Sequence, residues 1–387
     1  MTLLEHQTAP ARRAAEAPAD AYTGPATIAG IETPAPIVDL GRLAANLDRA
    51  ASYATSHGIA LRPHVKTHKS PVIAREQLRR GAAGLTCATV REVEVMADVT
   101  DDVLFAYPPV GAPRLRRLLS APKNVRLTVS LDSEAAIDSL ADAAAEAGRT
   151  VRVYVEADVG MHRVGVTSAD HAVSLARRVA GRRELEYAGL AFYAGHIRQP
   201  PAAQDERLAR LNADLGVILD ALSAAGLKPP AVSGGSTPTL WRTHELPEVT
   251  EIRPGTYVYN DRATADLGAC TLDDCALTVL ATVVSTAVPD QAVVDAGTKA
   301  LGREPLDDAS HAGFGAVADH PEVVVSRMSE EHGILDLRGT AWRPAAGDLV
   351  RIVPNHVCVV VHLNDIVYGV RGEKVEMTWP VAARGRI

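Results

Sequence analysis

Between about residue 35 and residue 250, short runs rich in β-branched residues alternate with longer amphipathic stretches, and this rhythm limits the possible folds more than any other feature of the chain. The candidate strands are Pro36–Leu40, Ile59–Pro63, Gly84–Cys87, Asp102–Ala106, Val125–Ser130, Val151–Glu156, Leu185–Phe192 and Pro230–Ser233. Helical periodicity fills most of the gaps, as in Leu43–Ser56, Val72–Arg80 and Ser133–Ala147. The longest helical stretch, Ala202–Ala225, places Leu208, Leu211, Leu215, Leu219 and Leu222 on one face. Eight such repeats predict a closed parallel (β/α)8 barrel rather than an open sheet. Past about residue 255 the rhythm stops. Ala276–Val284, Gln291–Asp295, Glu322–Met328, Leu349–Val353 and Cys358–Leu363 predict strands with little helix between them, which suits a second, antiparallel β domain. The expected division is a loose tail over 1–28, an α/β barrel over 29–254 and a β-rich domain over 255–387 that packs with the barrel.

Composition excludes several classes of partner. The formal net charge is −7, so no basic surface awaits nucleic acid or an anionic membrane. Aromatic residues are only 4% of the chain, too few for a base-stacking platform. No apolar run approaches the roughly 20 residues that a membrane span needs, and the Ala- and Pro-rich N-terminus lacks the apolar core of a secretory signal. Cys87, Cys270, Cys275 and Cys358 are too scattered for a disulfide framework. A reduced, cytoplasmic setting is the expectation.

Four segments could carry chemistry. Arg62-Pro63-His64-Val65-Lys66-Thr67-His68-Lys69-Ser70 follows the second candidate strand, and barrel active sites lie at the C-terminal ends of strands. An amine lifted off a rigid strand can bond a carbonyl if it is partly neutral, and Lys69 beside it would favour the neutral form. A basic surface loop would carry the same residues. Asp158-Val159-Gly160-Met161-His162-Arg163-Val164-Gly165 brackets an arginine with two glycines, which suits a tight turn aimed at an anion, or equally a structural strand-to-helix turn. Ser233-Gly234-Gly235-Ser236 offers backbone N–H groups and hydroxyls for a phosphate at the last barrel strand, although linkers look alike. In a strand, His356 and Cys358 would point to one side and could share a metal. Imidazole with thiolate suits zinc, and two protein ligands leave positions open for water and substrate. A buried Cys beside a capped His has the same spacing. His196, at the end of Ala191-Phe192-Tyr193-Ala194-Gly195-His196, could stack on a ring or move a proton.

Taken in order, with Arg253-Pro254-Gly255-Thr256-Tyr257, these segments resemble the alanine-racemase-like fold, and within it the D-threonine aldolase and D-serine dehydratase family. The resemblance runs from about residue 30 to the C-terminus. It implies pyridoxal 5'-phosphate (PLP) attached to Lys66, with Arg163 beside the cofactor and His196 near its ring. It implies that Ser233, Gly234, Gly235, Ser236, Gly255 and Thr256 hold the phosphate and that Arg253 faces the pyridine nitrogen. His356 and Cys358 would bind a divalent metal, zinc before manganese or magnesium. The implied activity is a lyase on β-hydroxy D-amino acids, in a homodimer. The family's aldolase branch has His-x-Asp at the metal, so the cysteine here resembles the dehydratase branch, which eliminates water to give a keto acid and ammonia. Cleavage to glycine and an aldehyde is the alternative. A racemase would need a second base opposite the lysine, which no motif identifies, and a non-catalytic PLP carrier would not need the second domain.

Overall fold

The computed structural model describes residues 24–306 and 313–385. Most of the expected tail, residues 1–23, lies outside these. Its end is not loose: Ile28 is buried, and its amide donates to the Glu373 carbonyl at 2.9 Å.

The first strand, β1 (Ala35–Asp39), does not enter the barrel. It runs antiparallel to Leu277–Leu280 and parallel to Tyr368–Val370, in the sheet built mainly from the C-terminal part of the chain. Ile37 packs with Leu280 and Val370, whereas Val38 faces the main core. Both faces of β1 are covered, so its apolar run fits the centre of any sheet and does not say which one.

The barrel starts one strand later. Its members are β2 (Ala60–Leu61), β3 (Leu85–Cys87), β4 (Asp102–Phe105), β5 (Arg126–Leu131), β6 (Val151–Ala157), β7 (Leu185–Phe192), β8 (Val232–Gly234) and β9 (Glu251–Ile252). All pair in parallel in the order β2-β9-β8-β7-β6-β5-β4-β3. The Ala83 amide donating to Leu61 at 2.8 Å and the Thr86 amide donating to Pro63 at 2.9 Å join β3 to the β2 segment and close the ring. Strand β9 replaces the expected first strand. It is two residues long and opens with a glutamate, so no apolar run announces it.

Alternation sorts the barrel side chains. Leu127, Val129 and Leu131 of β5 join the core under the helices. Thr128 and Ser130 are buried on the other face, with Glu156 taking the Ser130 hydroxyl. The barrel interior is therefore strongly polar, and one arginine organises it. Arg62 Nε donates to Glu251 at 2.6 Å, its Nη1 to Asp102 at 2.8 Å and its Nη2 to the same carboxylate at 3.2 Å. Burial favours the neutral acid at Asp102, but the hydrogen bonds and charges of Arg62 and Arg126 outweigh it and hold the carboxyl below its ordinary range.

The second unit contains β10 (Leu277–Ser285), β11 (Gln291–Val294), β12 (Gly315–Val317), β13 (His320–Met328), β14 (Gly333–Asp336), β15 (Leu349–Pro354), β16 (Ile366–Arg371) and β17 (Lys374–Pro380). The order β11-β14-β13-β12-β15-β10, with β10 also paired to β11, closes a small antiparallel barrel, and β1, β16 and β17 extend from it. One expected strand is a helix instead. Val357–Leu363 is helical although it is nearly all valine at its start. Val357, Val360 and Val361 are buried at helical spacing, and Asp261 accepts the Val357 amide at 3.2 Å, an acceptor supplied by a distant segment.

Replacing Arg62 by alanine leaves the buried Glu251 without its ion-pair partner and Asp102 with Arg126 alone. The expected loss is about 3–5 kcal/mol, read as a lower urea midpoint. Because Asp102 titrates lower in the folded chain than in the unfolded one, its contribution is present above about pH 4 and is lost as the pH falls through the folded value.

Candidate functional site

A cavity of about 490 Å³ opens where the C-terminal strand ends of the barrel meet the second unit. Lys66, Arg163, Arg198 and Arg253 give its wall four cationic side chains. His64 adds no charge. Burial, then the nearby Lys66 and Arg253, hold its pKa well below the usual histidine range. Glu156, Asp261 and Glu304 line the cavity too, and the cations outnumber these carboxylates, so the balance suits an anionic occupant.

Lys66 sits in a short 3-10 turn, Val65–Thr67, immediately beyond β2. Its Nζ has no hydrogen-bond or carboxylate partner among the described residues and lies 5.9 Å from the centre of the Tyr193 ring. The Arg163 guanidinium approaches that ring at 4.9 Å. Lys69, expected as a neighbouring cation to Lys66, has a carboxylate partner of its own. Its residue takes φ +49°, and its ammonium turns into a buried pair with Glu92.

The arginine turn is built as its glycines require. Asp158 Oδ1 accepts the amides of Gly160 at 2.9 Å and His162 at 3.0 Å. Gly165 has φ +112°, and a Cβ there would lie 2.6 Å from the Ala157 carbonyl carbon. Arg163 lies between these two fixed points and lines the cavity.

Gly235, Thr237 and Gly255 line the cavity with backbone amides that hydrogen-bond to nothing among the described residues. Gly235 takes φ +86°, and Ser236 and Thr256 stand beside them. Unpartnered amides of this kind fit a phosphate. A Cβ on Gly255 would lie 2.9 Å from Thr67 Oγ1, so only glycine lets this loop meet the lysine turn. Together with the free amine of Lys66, these residues fit a phosphorylated aldehyde.

Three expected residues lie elsewhere. Ser233 faces the barrel interior, where its hydroxyl donates to Glu251 at 2.6 Å and accepts from Arg253 Nη1 at 2.6 Å. Gly234 packs under the Phe192 ring, where a Cβ would collide. His196 packs against Gly160, 3.0 Å from where its Cβ would stand, and does not line the cavity. Burial lowers the His196 pKa. Tyr193, three residues earlier, lines the cavity. It is the first residue past β7, the position from which a side chain reaches over the barrel.

His356 and Cys358 line the same cavity, though not for the reason expected. They occupy the cap and second residue of the helix Val357–Leu363 rather than one face of a strand. Burial opposes charge on His356, but Cys358 and the buried Asp261 carboxylate push its pKa up to about 11. Burial raises the Cys358 thiol, and His356 and Lys66 outweigh it, leaving the thiol below its ordinary value. Asp261 Oδ2 takes His356 Nδ1 at 2.9 Å. Thr67 Oγ1 lies 3.3 Å from Cys358 Sγ and so ties the sulfur to the lysine turn. Among the described residues no cluster of three or more His, Cys, Asp and Glu side chains could hold a metal ion. A borderline imidazole–thiolate pair suits zinc with open positions.

Residues 38–263 match the family described as alanine racemase, N-terminal domain, and residues 276–370 match the putative serine dehydratase domain. The chain is 35% identical over 352 residues to a D-threo-3-hydroxyaspartate dehydratase of Delftia sp. (strain HT23), covering 86% of this chain and 92% of that one. The D-threonine aldolase structure from Filomicrobium marinum superposes with a TM-score of 0.86 at 36% identity, covering 94% of this chain and 98% of the other. A cysteine-to-alanine variant of a D-threo-3-hydroxyaspartate dehydratase, solved in a metal-free form, superposes with a TM-score of 0.82 at 33% identity, covering 92% and 98%. Among the described residues, no helix is long and apolar enough to cross a membrane.

Gly255→Ala is expected to weaken binding of pyridoxal phosphate by about tenfold or more, because the added carbon presses on Thr67 beside Lys66. Equilibrium dialysis measures it.

Proposed function

The chain belongs to the D-threonine aldolase and D-serine dehydratase family of PLP-dependent lyases with the alanine-racemase fold, and from that premise we propose that it is a metal-dependent dehydratase of β-hydroxy D-amino acids. The observation that carries this reading is the convergence of His356 and Cys358 with Lys66 in one cavity. The ligand pair holds no carboxylate, and sulfur selects zinc over magnesium or manganese.

When bound, PLP would withdraw electrons from the bonds at the substrate Cα, and the metal would weaken the bond from Cβ to its hydroxyl oxygen. Lys66 would carry the cofactor until the substrate amine displaces it, and its freed Nζ would then take the Cα proton. The amides of Gly235, Thr237 and Gly255, with Ser236 and Thr256, would hold the phosphate. Arg163 and Tyr193 would flank the cofactor ring, and Arg253 would approach from the barrel side. His356 and Cys358 would hold the metal on the wall where the β-hydroxyl must leave. The net change would be loss of water across the substrate's Cα and Cβ, followed by hydrolysis to a keto acid and ammonia. A homodimer in the cytoplasm completes the reading, and light scattering of the purified protein checks the dimer.

The PLP- and zinc-loaded protein should convert D-threo-3-hydroxyaspartate, D-serine or D-threonine to keto acid and ammonia, and a chelator should abolish this. Glycine and an aldehyde as products would instead make the chain an aldolase. Cys358→Ala and His356→Ala should each cost on the order of a hundredfold or more in kcat/KM while the visible cofactor absorbance persists. Lys66→Ala should remove both that absorbance and turnover.

A further inference from the structure

Asp261 is fully buried, and no sequence motif includes it. Its Oδ1 accepts the Thr264 amide at 2.9 Å and the Thr264 hydroxyl at 2.8 Å. These are the contacts of an ordinary cap on the short helix Arg262–Asp266. Its Oδ2 serves a different element. It accepts His356 Nδ1 at 2.9 Å and the Val357 amide at 3.2 Å, on a helix that begins 96 positions later.

A cap needs only one oxygen, which Asn, Ser or Thr supplies without burying a charge. The second oxygen and the charge are accounted for by His356. A carboxylate only accepts, so the imidazole donates from Nδ1. That leaves Nε2 as the nitrogen that can turn to a ligand once it gives up its proton, and Cys358 lines the same cavity. Asp261 also fixes the first amide of the helix that carries Cys358. One carboxylate thus sets both the ring orientation of His356 and the start of the turn that delivers the sulfur. Because the carboxylate holds Nδ1, the imidazole ring stands between Asp261 and any metal on Nε2, so Asp261 is not a third ligand.

We propose that Asp261 is a positioning residue for the metal at His356 and Cys358, holding the two ligands in their convergent arrangement before the metal arrives. The inference rests on the metal-dependent reading above. It differs from a cap role in what it changes: a cap alters stability alone, whereas a positioning residue alters metal affinity.

The test is zinc affinity by chelator competition, measured on PLP-loaded wild type, Asp261→Asn and His356→Ala. Asparagine keeps an oxygen for the Thr264 amide but cannot also offer a carboxylate to His356. Asp261→Asn should weaken zinc binding roughly 10- to 100-fold, the usual cost of losing a partner behind a ligating histidine. The rise in melting temperature on adding zinc should shrink with it, and the cofactor absorbance should stay as in wild type. Wild-type zinc affinity in Asp261→Asn, with weakened binding in His356→Ala, overturns the inference and leaves the metal reading standing. So does a fall in melting temperature that is equal with and without zinc, which marks a cap. A wild-type protein that binds no zinc overturns the metal reading and the inference with it.

Discussion

The site depends on a guanidinium buried beneath it. Arg62 lies at the end of β2 and holds Glu251 at the start of β9 and Asp102 at the start of β4. Glu251 passes the connection through the Ser233 hydroxyl on β8 to Arg253, which reaches the cavity and also donates to the Phe192 carbonyl at 2.9 Å. Charge in a low-dielectric interior is tolerated only with partners in place, so the strands that supply them are held in register. Lys66 follows Arg62 by four residues. The lysine turn therefore springs from a fixed point, and the same network steadies Arg253 on the opposite wall. Most closed barrels fill their centre with branched apolar side chains. This one keeps only a small apolar cluster of Leu104, Tyr154, Ala188 and Ala191 apart from its main core.

The second unit supplies what the barrel lacks. The barrel contributes cations and unpartnered amides, which suit a phosphorylated anion. The imidazole and sulfur come from the helix after β15, and Thr67 joins that sulfur to the barrel's own lysine turn. Neither half holds a complete set of groups, so the chemistry lies at their junction.

Much of this was legible in the sequence, and the exceptions have physical causes. The strand–helix rhythm located seven of the eight barrel strands because those strands bury apolar runs. It missed β9, whose two residues are there partly to carry Glu251. The valines at 357 and 359–361 suggested a strand, since intrinsic preference ignores a capping carboxylate that arrives from Asp261. Strand ends and glycine placement singled out Lys66 and Arg163, and both line the cavity. Ser233 was assigned to the phosphate from its neighbours, but a residue inside a strand points inward or outward by parity, and Ser233 points inward. His196 was placed near a cofactor ring because it follows a strand, but Tyr193, the first residue past β7, lines the cavity, whereas His196 packs against Gly160. Asp261 gave only the signal of a helix start. Its bond to His356 spans the two units, and no local pattern encodes such a contact.

Strand β1 gives the two units an interlaced connectivity. It precedes the entire barrel in the chain, yet its neighbours on either side are β10 and β16, which follow it. Among the described residues the polypeptide thus starts in one unit, leaves to build the other, and returns. No single cut between barrel and second unit yields two whole pieces, because the C-terminal piece would lack an inner strand of its own sheet. During synthesis the first strand to emerge must wait for nearly the last one before both its edges are paired. The two halves are separate as architecture and inseparable as chain.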